Sequence, residues 1–337
     1  MAVVTGTNWN AYDAATMTSR EIYGRTLAEL GKHNEKIVGL TADLAKTTAI
    51  VHFAKAFPDR FYNVGIAEQN MFGIAAGLAK AGLIPFASTM AIFACMRAGE
   101  QIRTDIAYQN LPVKIIATHA GISFGHAGTT HHCTEDFAIM RSMANMTVIC
   151  PADGIETSKA VQACVDTPGP VYIRIGRGFE PPCYPDDNYT YEIGKAITMR
   201  EGTDLTIICC GIAVLQAVNA AKTLAETDGV SVRVINMHTI KPIDREAILK
   251  AVTETRRILT VEEHNVLGGL GDAVGSVIAE SGKGCVFKKH GIYDTFAAIG
   301  YAEDLYAYYG LDANGIVDQV RSMLGMEFEA DENWDDE

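Results

Sequence analysis

One carboxyl among small and apolar side chains invites a reading in proton chemistry. Glu68 is such a residue, within Val64-Gly65-Ile66-Ala67-Glu68-Gln69-Asn70-Met71-Phe72-Gly73-Ile74-Ala75-Ala76-Gly77. A first-turn Glu that complements a helix dipole is the plain alternative. It explains the acid but not the apolar residues on both sides. A second cluster is Ala117-Thr118-His119-Ala120-Gly121-Ile122-Ser123-Phe124-Gly125-His126-Ala127-Gly128-Thr129-Thr130-His131-His132, with three Gly and four His. It follows an apolar strand directly, where α/β sheets place ligands, and packing alone does not explain it. Metal binding is the rival, although the spacing matches no common ligand pattern.

Two further segments carry weaker signals. Met90, Phe93 and Met96 recur at three-residue spacing. Core packing is the ordinary cause of such a stripe on a helix. Glu262-Glu263-His264-Asn265-Val266-Leu267-Gly268-Gly269-Leu270-Gly271 is a Gly-rich turn into a helix. Such a turn could hold phosphate, but it completes neither G-x-G-x-x-G nor a P-loop. It reads as structural or interfacial.

Short apolar β-branched runs alternate with longer helical patterns, the signature of a parallel sheet wrapped by helices. Strands are expected at residues 36–40, 113–117, 146–149 and 171–175, and again at 205–210, 230–235 and 258–261. Helices are expected after Ser19, after Glu68, from Ala91 to Gln109, after Asp153, between the later strands and after Gly269, with Ser19 and Asp153 as N-caps. The proline-rich stretch 179–187 reads as a linker. Two α/β domains result, over residues 15–185 and 190–325.

The chain has 337 residues, 48 % hydrophobic and 20 % charged, a folded composition. Its formal net charge of −13 argues against nucleic acid as a partner. A local pocket can still be basic and take an anionic small molecule. The acidic residues after Met326 read as a solvated, frayed tail. No run approaches the ~20 apolar residues needed to cross a bilayer, and no signal peptide is evident. The eight cysteines form no C-x-x-C pair and read as buried reduced thiols in a cytoplasmic protein, rather than as disulfides or a zinc site.

The segment around Glu68 resembles the pyrimidine-domain signature of transketolases and deoxyxylulose-phosphate synthases. The resemblance spans roughly residues 15–325. It implies a thiamine-diphosphate pyrimidine-binding domain followed by a transketolase C-terminal domain. It also implies that Glu68 bonds N1′ of the thiamine aminopyrimidine, so that the 4′-amino group can take a proton from C2. Such a carboxyl needs apolar surroundings that favour its protonated form. By the same resemblance Ile66, Met90, Phe93 and Met96 line the cofactor pocket, with Phe93 stacked on the ring. Met90 stands where the family usually has an aromatic, and a thioether can pack on a π face. His119 matches a residue at the phosphate end of the sugar, and His131 one near the reacting carbons, with a catalytic role. Arg20, Arg177 and Thr47 match phosphate contacts, as the anionic substrate requires. One departure is His126-Ala127, where many transketolases have Glu-Asp. The missing Asp contacts sugar hydroxyls in the family, which suggests a non-standard sugar.

The family's metal and diphosphate motif, Gly-Asp-Gly followed by a later Asn, is not found; Gly271-Asp272-Ala273 is not that motif. The implied Mg²⁺ ligands therefore fall to a second polypeptide, an N-terminal diphosphate-binding subunit, in an α2β2 assembly. The reaction implied is ketol transfer from a ketose phosphate or related anionic ketose to an aldose, with apulose 4-phosphate or a sulfonated fructose among the donors. Two alternatives stay open: the β subunit of a 2-oxoacid dehydrogenase, and a non-catalytic structural or regulatory subunit. Arg20, His119 and Arg177 favour the transketolase.

Overall fold

The computed structural model describes residues 16–178, 180–184 and 188–325. The acidic tail and part of the proline-rich stretch lie outside the described residues. In chain order the first half contains α1 (Ser19–His33), β1 (Ile37–Thr41), α2 (Val51–Ala56), β2 (Phe61–Asn63), α3 (Glu68–Lys80), β3 (Ile84–Met90), β4 (Lys114–Thr118), α4 (Asp136–Ser142), β5 (Thr147–Ile149), α5 (Gly154–Val165) and β6 (Val171–Arg174). The second half contains β7 (Ile197–Arg200), β8 (Leu205–Cys209), α6 (Ala213–Thr227), β9 (Val232–Asn236), β10 (Thr239–Lys241), α7 (Arg245–Glu254), β11 (Arg257–Asn265), α8 (Leu270–Glu280), β12 (Val286–Ile292), α9 (Ala302–Tyr308) and α10 (Ala313–Leu324).

β1, β4 and β6 are buried along their whole length, as strands covered on both faces must be. They belong to a seven-stranded sheet of order β10-β5-β6-β4-β3-β1-β2. The second sheet has five strands in the order β12-β11-β8-β9-β7. Each sheet is parallel except at one edge: β10 runs antiparallel to β5 in the first, and β7 antiparallel to β9 in the second. The sheets do not divide the chain at a single point. β10 comes from the second half and closes the first sheet beside β5, and the Cys150 N–H bonds the His238 carbonyl at 2.8 Å.

Three apolar layers result. Tyr23 and Leu27 of α1 and Val161 and Cys164 of α5 pack with Phe86, Ile116 and Ile173 of the first sheet. The middle layer holds Phe72 and Ala75 of α3, Met140 of α4, Ile248 of α7 and Val274 of α8, and so belongs to both halves. The third packs Ala217 and Leu224 of α6 and Val320 of α10 with Ile207, Val234 and Leu259.

Where the chain departs from the expectations, the causes are local. The cap of α1 is Thr18, not Ser19. Thr18 is extended and its hydroxyl accepts from the Glu21 N–H at 3.3 Å, whereas Ser19 is already helical. Asp153 caps α5 as expected, accepting from the Glu156 N–H at 2.8 Å. The helix expected from Ala91 to Gln109 is broken into two π segments, Phe93–Arg97 and Ile102–Ala107, around a single turn. Met90 ends β3, and wide bonds such as Ala98 N–H to Phe93 carbonyl follow it, so Met90, Phe93 and Met96 are not a stripe on one regular helix: Met90 is buried and Met96 exposed. The proline-rich stretch is not free where it is described: the Cys183 N–H bonds Asp153, and Tyr184 stacks on Tyr189 at 4.0 Å and bonds Glu156.

A buried polar cluster fastens the second half to the first. Arg174 Nε lies 3.0 Å from Asp136 Oδ2, and Arg174 also donates to the Glu263 carbonyl at 2.7 Å. Tyr172 donates to the same Asp136 carboxylate at 2.8 Å. Removing one member of a buried pair leaves the other uncompensated. Arg174→Ala is therefore expected to cost about 3–5 kcal/mol, read from denaturant unfolding. A loss below about 1 kcal/mol would show that the cluster does not hold the halves together.

Candidate functional site

Most of the residues singled out above, Met96, Ile66 and the Gly-rich turn excepted, lie outside the carboxyl ends of β1, β3, β4 and β6, where open α/β sheets place ligands. Glu68 opens α3, and its carboxylate is almost fully buried. It is not surrounded by apolar groups alone. Nη1 of Arg97 lies 2.9 Å from both carboxylate oxygens. The same guanidinium sits over the Phe93 ring, 4.1 Å from its centroid. Arg97 thus satisfies the buried acid and stacks on the neighbouring aromatic at once.

The His-rich loop begins at the end of β4. His119 has φ of +59°, a left-handed conformation that costs a non-glycine residue energy. Its Nδ1 is 2.9 Å from the Thr118 hydroxyl. Burial, reinforced by Arg20, Arg177 and His131, pushes His119 down to about 3, so the ring is neutral at neutral pH. Phe124 is the hub of the loop. It makes edge contacts with His119 and His126 at 5.0 Å and with His131 at 5.5 Å. Arg177 lies over its ring at 4.8 Å, and His131 also meets Phe93 at 5.6 Å. His132 turns inward, with Nε2 3.1 Å from the Gly125 carbonyl and Nδ1 buried without a partner.

The second half sets the position of this loop. Glu263 Oε1 accepts the Ile122 N–H at 2.9 Å and the Tyr306 hydroxyl at 3.1 Å. Burial pushes Glu263 up to about 7. Gly121 has φ of +60°, and a Cβ there would meet the Glu263 carboxylate at 2.3 Å, so no side chain fits. The other residues of that motif also act on the frame. Glu262 accepts the Leu270 and Gly271 N–H groups at the start of α8, at 2.6 and 2.8 Å. His264 Nε2 accepts from the Phe137 N–H at 3.1 Å, which leaves the proton on Nδ1, facing the Asn265 carbonyl. The Gly-rich turn is taken up by Glu262.

Arg20, Thr47 and Arg177 meet at the far end of the loop. Arg20 Nε donates to the Arg177 carbonyl at 2.9 Å, and Nη1 donates to the Thr47 carbonyl. The Arg177 N–H bonds the Ser123 hydroxyl at 3.1 Å. Glu180, buried nearby, accepts from the Ser19 N–H and offsets part of the positive charge on Arg20.

A continuous line of contacts therefore runs from Glu68 through Arg97, Phe93, His131, Phe124 and Arg177 to Arg20 and Thr47, with His119 beside it on Phe124. Met90 is buried at the end of β3, opposite Thr118. Met96 and Ile66 stand apart from this line, 52 % and 78 % exposed. His126 is exposed beside Phe124, and Ala127 offers no carboxylate. Three participants escaped the sequence reading. Arg97 was legible only as the i+4 neighbour of Phe93, Phe124 as the lone aromatic ring of a histidine loop, and Glu263 as half of an acidic doublet. Among the described residues no three His, Cys, Asp or Glu side chains gather as a metal site, and all eight cysteines are free thiols. No described helix is long and apolar enough to cross a membrane.

Residues 15–180 match the transketolase pyrimidine binding domain, and residues 194–316 match the transketolase C-terminal domain. The chain belongs to the transketolase family. It is 45 % identical over 309 residues to a putative transketolase C-terminal section of Methanocaldococcus jannaschii, covering 91 % of this chain and 96 % of that one. It is 41 % identical over 297 residues to an apulose-4-phosphate transketolase subunit of Phocaeicola vulgatus, covering 88 % of this chain and 94 % of that one. The solved structure of a split-gene transketolase, an inactive β4 tetramer, superposes with a TM-score of 0.82 at 44 % identity, covering 91 % of this chain and 98 % of that one.

A histidine neutral when folded but able to protonate when unfolded weakens the fold as pH falls. For His119 the window runs from about 6.5, the unfolded value, down toward 3. Ring ¹⁵N shifts of His119 are expected to stay those of a neutral imidazole from pH 8 to about pH 4. A midpoint above about 5.5 would contradict the buried, cation-flanked environment.

Proposed function

We propose that this chain is the pyrimidine-domain subunit of a split transketolase that uses thiamine diphosphate and Mg²⁺. It transfers a two-carbon ketol unit from a ketose phosphate, or a related anionic ketose, to an aldose. It acts with a diphosphate-binding subunit that supplies the metal ligands, as α2β2. The observation that carries the reading is the buried Glu68 carboxylate joined through one guanidinium to the Phe93 face, and from there through the rings of His131 and Phe124 to Arg177 and Arg20. The names of the two relatives, a transketolase C-terminal section and a transketolase subunit, support it.

The residues present fit an aminopyrimidine. A buried carboxylate takes a ring nitrogen, and an aromatic face takes a flat ring. Arg97, a planar nitrogen donor, already meets both in this structure. When bound, thiamine diphosphate supplies the nucleophilic carbon that carries the two-carbon fragment. Glu68 would hold the ring nitrogen and its proton. Phe93 and Met90 would pack against the ring, with Met96 and Ile66 as apolar walls shared with the partner. His131, between Phe93 and Phe124, would exchange protons with substrate oxygens near the reacting carbons. Neutral His119 would hydrogen-bond the substrate through Nε2 while Nδ1 faces Thr118. Arg20 and Arg177 would clamp the anionic end, with Thr47 beside them. With Ala127 in place of a carboxylate, the middle of the sugar meets His126 instead. That favours a donor with altered hydroxyl chemistry, such as a branched or sulfonated ketose.

A ketol-transfer assay with thiamine diphosphate and Mg²⁺ tests this on the chain alone and with its partner. Turnover is expected only in the mixture; turnover by the chain alone would sink the split-subunit reading. In the mixture Glu68→Gln should lower kcat by roughly 10²–10⁴-fold, and unchanged turnover would favour a non-catalytic subunit. Arg177→Ala should raise KM for the anionic donor about 10- to 100-fold with a smaller change in kcat, since a charged hydrogen bond is worth ~1.5–3 kcal/mol.

A further inference from the structure

We propose that Arg97 is a built-in competitor of the cofactor: its guanidinium holds the Glu68 carboxylate and covers the Phe93 face, and it must swing out before an aminopyrimidine can enter. The inference rests on the cofactor reading above and concerns how that same site is regulated.

Two independent contacts carry it. Nη1 of Arg97 lies 2.9 Å from each oxygen of Glu68, and the guanidinium carbon lies 4.1 Å above the Phe93 ring. These are the two recognition features that an aminopyrimidine needs, a carboxylate facing a ring nitrogen and an aromatic face to stack on. A guanidinium is itself flat, cationic and rich in N–H donors. A flat ring and Arg97 cannot both lie on that face of Phe93 or both take the same carboxylate oxygens.

The arrangement also answers a physical need. A carboxylate this deeply buried is costly unless paired, and Arg97 is the charge that pairs it. The arginine itself is 46 % exposed, on the last turn of the π segment Phe93–Arg97. Its long side chain can leave toward solvent without moving the backbone that carries Phe93. Met96 and Ile66, close in sequence to Arg97 and Glu68, are exposed apolar surfaces that a partner chain would cover. Assembly and cofactor entry together would take over what Arg97 does in the lone chain.

The consequence is a reduced apparent affinity. If the competent state, with Arg97 out, is only a fraction of the population, the apparent Kd rises by the inverse of that fraction. A half-exposed ion pair is screened, so the effect belongs at the modest end, roughly tenfold.

Equilibrium binding of thiamine diphosphate in excess Mg²⁺ is measured by calorimetry on the assembled complex with wild-type chain, Arg97→Ala, Arg97→Lys and Glu68→Gln. Arg97→Ala is expected to bind about tenfold tighter, and Arg97→Lys, which keeps the charge without the flat stack, to fall between it and wild type. Glu68→Gln should bind at least tenfold more weakly. In the chain alone, Arg97→Ala should melt below wild type, and adding Glu68→Gln should restore part of that loss, because the orphaned carboxylate is then gone. Equal or weaker binding by folded Arg97→Ala, with Glu68→Gln still impaired, would overturn the competitor role and leave the cofactor site standing. Wild-type binding by Glu68→Gln would overturn the cofactor reading and this inference with it.

Discussion

The buried contact between Glu263 and the backbone of Ile122 is the constraint on which the site depends. The histidine loop is long and rich in glycine, and its own contacts, the rings around Phe124 and the His132 bond to the Gly125 carbonyl, tie it only to itself. Glu263 holds it from the other half of the molecule. Arg174 holds Glu263 and Asp136 in turn, and Tyr172 and Tyr306 complete the polar satisfaction. Apart from half-buried Tyr306 every member is buried, so the cluster works only as a whole. The second half of the chain thereby acquires a role: it fixes the backbone of the loop that carries His119 and His131.

The same economy appears at Glu68. A buried acid is chemically useful because it is costly to leave alone, and that cost draws in a partner. In this chain the partner is Arg97, which joins Glu68 to Phe93. Next to it the helix is locally wide, since the Ala98 N–H reaches back five residues to the Phe93 carbonyl. A π segment re-aims side chains relative to an ordinary helix, and such segments gather at working sites. The loss of regular helix here is thus coupled to where the site is built.

Much of the frame was readable from residue order. Runs such as Ile37–Thr41, Lys114–Thr118 and Leu205–Cys209 are apolar along their length because both faces are covered. Strands without that signature were missed. β3 contains a proline and a Ser-Thr pair, β10 has three residues, and β12 carries Lys-Lys-His. Their pairing comes from neighbours in the sheet rather than from their own composition. β10 shows the limit most sharply, since it crosses from the second half to finish the first sheet.

Sequence by itself determined the family and the alternation of strands and helices, and it pointed to the residue types of the candidate site: Glu68, the histidine loop and two arginines. These are matters of local pattern, and local pattern survives in one dimension. Only the tertiary structure decided that Arg97 lies on Glu68, that Phe124 gathers three histidines and an arginine, and that Glu263 positions the loop from 141 residues away. Such contacts depend on which buried polar groups find partners after packing. That requirement acts on the folded chain as a whole and leaves no periodicity in the sequence.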